Sequence, residues 1–184
     1  MAGDAAAERL ESVMLNDLIS RASMSSAYGL LLNEARGVRD DLIATNLGGW
    51  RFKLALKARN KHEDLGYLRL SLSDLTFELH AGRALLALSG QESRAVMTYL
   101  GNAASGLGFM TATQDKIGGV DVWVSCLGYI GEDGLEISVF VSEAARVAQF
   151  LLAEPEVEAL GSGDFDRAIR DWKSSGRLSW RSNH

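Results

Sequence analysis

Residues 128–137 read Gly-Tyr-Ile-Gly-Glu-Asp-Gly-Leu-Glu-Ile and stand between two short apolar segments. The pattern predicts a strand, a tight glycine-rich loop and a second strand. Because side chains alternate along a strand, Glu136 is expected to point away from the apolar face that its two neighbours form. Two interpretations are open: an ordinary hairpin with a solvated acidic tip, or a ligand loop in which Tyr129 and Glu136 line a pocket.

The composition fits one large globular domain or two small ones. The chain has 184 residues, and its 47% of hydrophobic residues can build a core. A net charge of −5 with scattered basic residues argues against nucleic acid as the main partner. No apolar run approaches the ~20 residues of a membrane-spanning helix. The single cysteine, Cys126, fits a reducing compartment, and we interpret it as a buried strand residue rather than a nucleophile.

The hydrophobic pattern predicts an α+β fold, because helices and antiparallel strands alternate without a βαβ rhythm. Helices are predicted at residues 4–15 (with Asp4 as N-cap), 50–64, 92–100 and 143–153. Strands are predicted at residues 28–33, 42–45, 67–70, 76–80, 84–88, 109–113, 120–125 and 135–141. The nearly all-apolar strand at residues 84–88 is expected to be central in a sheet.

Asp40 and Asp41 form a carboxylate pair that opens the strand at residues 42–45. Adjacent strand residues face opposite sides, so one carboxylate can point into a cleft while the other faces solvent. An apolar cleft raises the pKa of a carboxyl group and lets it exchange protons near neutrality. Two solvated turn acids are the alternative. The basic side chains of residues 51–61 are interpreted as the solvated face of a helix, and the three histidines are too far apart in sequence to suggest a metal site.

Three segments, in order along the chain, resemble motifs of the aminomethyltransferase family, the folate-dependent T-proteins of the glycine cleavage system. Residues 33–46, Asn-Glu-Ala-Arg-Gly-Val-Arg-Asp-Asp-Leu-Ile-Ala-Thr-Asn, resemble the family's Asn-Glu-Xaa-Gly-Gly-Xaa-Xaa-Asp-Asp-Leu-Ile-Val-Thr-Asn. Residues 84–91 resemble Ala-Leu-Leu-Ala-Leu-Gln-Gly-Pro, and residues 128–136 resemble Gly-Tyr-Thr-Gly-Glu-Asp-Gly-Xaa-Glu. The similarity extends from about residue 3 to residue 160.

The resemblance implies a ferredoxin-like middle domain at residues 1–105, a partial folate-binding domain at residues 106–160 and a divergent tail at residues 161–184. The small-residue stretch 101–108 is the expected boundary, and the family's C-terminal β-barrel domain is expected to be absent. The family has a further strand after the position of Asn46, with a pterin-contacting asparagine. We expect that strand to be deleted here, because the predicted helix at residues 50–64 follows almost directly. Core exposed by missing domains would favour self-association.

The resemblance also implies a reaction. Family members transfer an aminomethyl group from a lipoylated carrier protein to tetrahydrofolate and release ammonia. Asp41, the second acid of its pair, then assists proton transfer at the reacting folate nitrogen. Glu136 accepts two hydrogen bonds from the pterin ring, and Tyr129 lines the pterin site. Arg170 matches, in a weaker motif, an arginine that binds the folate carboxylate. No metal is implied.

Two alternatives belong to the same superfamily. The first is a truncated, non-catalytic module that binds folate or another protein, since Cys126 stands where the family usually has arginine. The second, a folate-linked iron–sulfur assembly protein, is less favoured because the Asp-Asp motif is of transferase type. The resemblance implies the mitochondrial matrix in a eukaryote and the cytoplasm in a bacterium. Residues 1–8 match neither a secretory signal nor a transit peptide.

Overall fold

The computed structural model describes residues 1–57, 59–100, 103–127 and 134–160, which form a mixed α/β fold with two four-stranded antiparallel sheets. The chain divides into two compact units. The first consists of Met1–Ala81 and Met110–Ala112, and the second of Gly82–Phe109 and the described residues from Thr113 on. The change of unit at Gly82 precedes the small-residue stretch 101–108. The family-based domains at residues 1–105, 106–160 and 161–184 stay a prediction, and the last lies outside the described residues.

The first unit is a sheet covered by two helices. Its elements are α1 (Ala6–Glu11), β1 (Met14–Leu15), β2 (Ser26–Leu32), β3 (Val38–Gly48), β4 (Arg51–Leu56) and α2 (Lys61–Ser71). The strands lie in the order β1-β2-β3-β4, and each pairs antiparallel with the next. Leu68 of α2 and its C-cap residue Leu72 are fully buried and pack with Leu31 and Phe52 of the sheet. The sheet and helices therefore share one core.

The predicted helix at residues 50–64 is wrong. Arg51–Leu56 is β4, which pairs with β3 from Leu42↔Leu56 to Gly48↔Arg51. A strand thus follows Asn46, so the expected deletion of a strand there is also wrong. The sequence allowed this error because residues 50–58 fit a helical spacing as well as an alternating one, and the alternating pattern wins once β3 supplies hydrogen-bond partners.

Three further predictions in this unit are corrected. The N-terminal helix is shorter than residues 4–15, because Met14 joins β1 and pairs with Leu31. Its N-cap is Ala5, at φ 52 with no side-chain capping bond, and not Asp4. Residues 67–70 belong to α2 rather than to a strand. Residues 76–80 contain one isolated bridge, between Thr76 and Ala2, and no named strand.

The elements after Gly82 are β5 (Arg83–Ser89), α3 (Ser93–Tyr99), a 3₁₀ turn (Ala103–Gly106), β6 (Thr111–Ile117), β7 (Val120–Cys126), β8 (Gly134–Phe140) and α4 (Val141–Leu152). They belong to the second unit, except for the first two residues of β6. The strand order is β5-β8-β7-β6. The predicted strands and helices are found here, with bounds shifted by a few residues. Val147 of α4 packs on one face of the sheet against Ile137 and Val124. That face forms the core of this unit.

β5 lies at the edge of its sheet and not at its centre. Leu85 on this strand is 60% exposed, although Leu88 is buried. An unbroken apolar run is therefore compatible with an edge strand whose two faces have different environments. Tyr99 of α3 is also exposed. In the described part of the chain, no helix is long and apolar enough to cross a membrane.

Candidate functional site

The start of β3 positions the predicted carboxylate pair. The turn between β2 and β3 is held by Asn33, whose Oδ1 accepts a hydrogen bond from the Gly37 N–H at 2.8 Å. Pairing of β3 with β2 then places Asp40 opposite Leu31 and Asp41 opposite Leu30. The pair therefore lies on paired strand backbone and not in a solvated turn.

Asp40 is the buried member of the pair, with its side chain only 7% exposed. Asn60 Nδ2 donates to its Oδ2 at 2.8 Å, and the Asp41 backbone N–H donates to its Oδ1 at 2.8 Å. Lys57 Nζ lies 3.1 Å from the same Oδ1. These donors, Asn60 first and Lys57 next, lower the pKa of Asp40. The predicted rise in pKa from an apolar cleft is wrong for this carboxyl group, because its surroundings are rich in donors.

Asp41 is more accessible, with 23% of its side chain exposed, and it also forms an ion pair with Lys57. One ammonium group therefore serves both carboxylates. The two acids differ in exposure as expected for neighbours on a strand. Asp41, the acid that the resemblance singles out, is the one that a ligand can reach.

A third carboxylate, Asp64 of α2, lies beside this pair. Its side chain is 4% exposed and accepts a hydrogen bond from Arg39 Nε at 3.2 Å. The Arg39 guanidinium also stacks over the ring of Tyr67, 4.8 Å from its centroid. Burial raises the pKa of Asp64, and the adjacent Asp40 raises it further, while Arg39 acts in the opposite direction.

Lys57, Asn60 and Asp64 were not predicted as site residues from the sequence, because the pattern of residues 50–64 was interpreted as a helix. That interpretation assigned Lys57 to the solvated face of a helix that does not form. One signal was available: Asn60 and Asp64 are four residues apart, and such positions share a face of a helix. Asn60 is the N-cap of α2, so a helix beginning at Lys61 would have placed both residues toward the same neighbour.

Glu136 lies in the second unit, in the middle of β8. Its neighbours Leu135 and Ile137 are buried in the core, whereas Glu136 is half-buried on the other face, as the alternation predicted. Its partner on β7 is Ser125, which accepts a hydrogen bond from Trp123 Nε1 at 3.0 Å. Glu136 therefore stands on a face of the sheet that carries polar groups.

The remaining candidates have different outcomes. Tyr129 and Arg170 lie outside the described residues. Cys126 is 2% exposed and lies 3.6 Å from Arg94 Nη2, which confirms that it is a buried strand residue. Among the residues that the structure describes, no cluster of three or more histidine, cysteine, aspartate or glutamate side chains could hold a metal ion.

A family model described as the GCVT N-terminal domain matches residues 1–165. This match covers most of the chain and includes all three motifs noted in the sequence. The chain therefore belongs to the aminomethyltransferase family.

Similar curated proteins carry the name aminomethyltransferase. The mitochondrial protein of Canis lupus familiaris is 34% identical over 165 residues, which are 83% of this chain and 40% of that protein. The mitochondrial protein of Homo sapiens is 32% identical over 163 residues, with the same shares. The Methylococcus capsulatus protein is 34% identical over 146 residues, covering 77% of this chain and 39% of its own length. The chain thus spans about two fifths of these relatives.

A solved structure agrees with these matches. The crystal structure of glycine cleavage system aminomethyltransferase T from Bartonella henselae aligns with a TM-score of 0.77 at 34% sequence identity. The alignment covers 92% of this chain and 45% of that chain. The mixed α/β fold with two antiparallel sheets is therefore the fold of this part of the family.

Proposed function

We propose that this chain carries the folate-binding carboxylates of a tetrahydrofolate-dependent aminomethyltransferase of the glycine cleavage system. The observation that carries the proposal is the geometry at the start of β3. Asp41 is a reachable carboxylate, and Lys57 pairs with it. Membership of the aminomethyltransferase family supports the same reaction.

Asp41 is the proposed catalytic residue. Its carboxylate is partly exposed and forms an ion pair with Lys57. A carboxylate placed at the reacting folate nitrogen can orient that nitrogen, accept a proton and stabilise developing positive charge. This chemistry suits a group that is partly exposed, because the buried Asp40 is already surrounded by donors.

Glu136 is the proposed anchor for the pterin ring. A carboxylate presents two acceptor oxygens, which match the paired N–H donors on the edge of a pterin. Its half-buried position on β8 supports this role, since partial burial strengthens a charge-assisted hydrogen bond. Tyr129 is the proposed pterin-lining residue, and Arg170 is the proposed ligand of the folate carboxylate.

The domain arrangement, the partner and the location are also proposed. We propose a ferredoxin-like arrangement of residues 1–105 and a lipoylated carrier protein as partner. The expected location is the mitochondrial matrix for a eukaryotic source and the cytoplasm for a bacterial one. Relatives of both kinds support this choice, since the dog and human proteins are named mitochondrial and the Methylococcus capsulatus protein is bacterial.

A non-catalytic module that binds folate or a protein is the second candidate. Cys126 favours it, because a residue that is 2% exposed offers no polar side chain to a ligand, where the family motif usually has arginine. Both candidates are members of the same family, but only the transferase forms methylenetetrahydrofolate. A measurement of that product therefore distinguishes the two.

Calorimetric titration with tetrahydrofolate tests the proposal. We expect the wild-type chain to bind and Glu136→Ala to lose about tenfold or more in affinity, as expected for a charged hydrogen-bonding group. Glu156→Ala, a change at an exposed glutamate after α4, is the matched control and should bind as wild type does. Absence of wild-type binding at near-millimolar ligand would refute the folate assignment. Binding without formation of methylenetetrahydrofolate from the lipoylated carrier would exclude the transferase and support the non-catalytic module.

A further inference from the structure

Lys57 connects the two carboxylates of the Asp40–Asp41 pair. Its Nζ lies 3.1 Å from Asp40 Oδ1 and forms an ion pair with Asp41 Oδ1. The strand register explains this position. Leu56 of β4 pairs with Leu42 of β3, so the next residue of the antiparallel strand comes to Asp41.

Asp40 forms the fixed end of this arrangement. Its Oδ2 accepts from Asn60 Nδ2 and its Oδ1 from the Asp41 backbone N–H, both at 2.8 Å. Both oxygens are therefore engaged before Lys57 is counted. With 7% of its side chain exposed, Asp40 has little freedom to turn away. Lys57 binds to an immobile carboxylate on one side and to a reachable one on the other.

The neighbouring cation Arg39 pairs with a different carboxylate. Arg39 pairs with Asp64, at 3.2 Å, and its guanidinium stacks over Tyr67. Its charge is thus directed to the third carboxylate. In the described part of the chain, Lys57 is the cation that pairs with Asp40 and Asp41.

We propose that Lys57 is a positioning residue, which holds the Asp41 carboxylate for the folate nitrogen by bridging it to the anchored Asp40. The proposal rests on the proposed function, because the orientation matters only where Asp41 meets folate. An aspartate side chain paired with a lysine that a second carboxylate anchors loses rotational freedom before the ligand arrives. Lys57 itself is 53% exposed, and such ion pairs contribute little to global stability, so its removal should leave the fold intact.

Three variants test the bridge. Lys57→Met keeps the aliphatic stem and removes the charge, and Lys57→Arg keeps the charge. Lys116→Met is the matched control, because it removes the same charge from an exposed lysine that pairs with Asp121 in the second unit. The first measurement is a ¹³C NMR titration of the Asp40 carboxyl group against pH. We expect Lys57→Met to raise the pKa of Asp40, and Lys57→Arg and Lys116→Met to leave it close to wild type.

The second measurement is the tetrahydrofolate affinity of the same proteins by calorimetry. We expect about a fivefold weaker Kd for Lys57→Met, the size of one hydrogen bond. Lys57→Arg should stay within about twofold of wild type, and Lys116→Met should match it. An unmoved Asp40 titration in Lys57→Met overturns the bridge. A moved titration with unchanged or tighter folate binding overturns the positioning role. If wild type binds no tetrahydrofolate, the proposed function and the positioning role both fail, and the NMR titration still decides the bridge.

Discussion

Asn60 Nδ2 lies 2.8 Å from Asp40 Oδ2, and this hydrogen bond joins the start of α2 to the start of β3. One turn further along the helix, Asp64 is buried beside the pair and accepts a hydrogen bond from Arg39. Two neighbouring carboxylates therefore have opposite electrostatic surroundings. The pKa of Asp40 is lowered, chiefly by Asn60, and the pKa of Asp64 is raised, chiefly by burial.

Asp40→Asn is expected to destabilise the protein more at about pH 7 than at about pH 3. Because the pKa of folded Asp40 is below its usual value of 3.8, the unfolded chain binds more protons between the two values. The stability that Asp40 contributes is therefore present above the unfolded pKa and is lost as pH falls through the folded pKa. Urea unfolding of variant and wild type at both pH values measures the difference. An equal loss at both would contradict the assigned direction.

Asp64→Asn is expected to show the opposite trend. The pKa of folded Asp64 is above its usual value of 3.8, so the folded chain binds more protons and wild type loses stability as pH rises through this range. The asparagine variant lacks this loss. Its stability relative to wild type should therefore improve from about pH 3 to about pH 7. The same unfolding series tests this, and parallel trends for the two variants would show that Asp40 and Asp64 do not differ as described.

Gly118→Ala should be far more destabilising than Gly119→Ala. Both glycines form the turn between β6 and β7 with positive φ, 56 and 82, so each alanine costs about 1–2 kcal/mol of backbone strain. A Cβ at Gly118 would also overlap the ring of Phe150 from α4, whereas a Cβ at Gly119 meets nothing within 4 Å. The overlap should cost about 1–3 kcal/mol more. Thermal unfolding of the two variants compares their losses of stability. Equal losses would show that the Phe150 ring does not pack against Gly118.

Arg36→Gly should stabilise the protein. Arg36 has φ 62 in the turn before β3, a left-handed conformation that disfavours residues with a Cβ. Glycine relieves this strain but gains entropy in the unfolded chain, so the net gain should be about 0.5–1 kcal/mol. Glu34→Gly, an exposed change in the same turn without a positive φ, should instead be neutral or destabilising. Chemical denaturation of both variants checks the sign, and a loss at Arg36 would contradict the turn geometry.

Residues 51–56 show where sequence patterns alone are insufficient. The strand alternates Phe52, Leu54 and Leu56 with residues on the other face, while Trp50, Leu54 and Ala55 also fit a helical spacing. Local pattern therefore allowed both structures. Pairing with β3 decided between them, and a tertiary contact of this kind overrides local propensity. The strands at the end of the chain were predicted well because a glycine-rich loop separates two clear alternating segments.

The candidate site also contains residues that the sequence predicts and residues that only the structure identifies. The motifs located Asp41 and Glu136, because a carboxylate pair and a glycine-rich loop are contiguous in the sequence. They did not locate Lys57, Asn60 or Asp64, which act through contacts across 16, 20 and 25 residues. Such contacts depend on strand register and on where a helix begins. The wrongly predicted helix at residues 50–64 therefore hid them, because it removed both the pairing of β4 with β3 and the start of α2.

Asp41 is the carboxylate proposed to meet tetrahydrofolate at its reacting nitrogen. Titration of the wild-type protein with tetrahydrofolate, followed by ¹³C NMR of its side-chain carboxyl groups, tests this claim most directly. We expect the Asp41 signal to move and to saturate with the Kd that calorimetry gives for tetrahydrofolate, while the signal of the exposed Glu156 stays unchanged. Saturable binding that leaves the Asp41 signal unmoved would contradict the proposed role of Asp41.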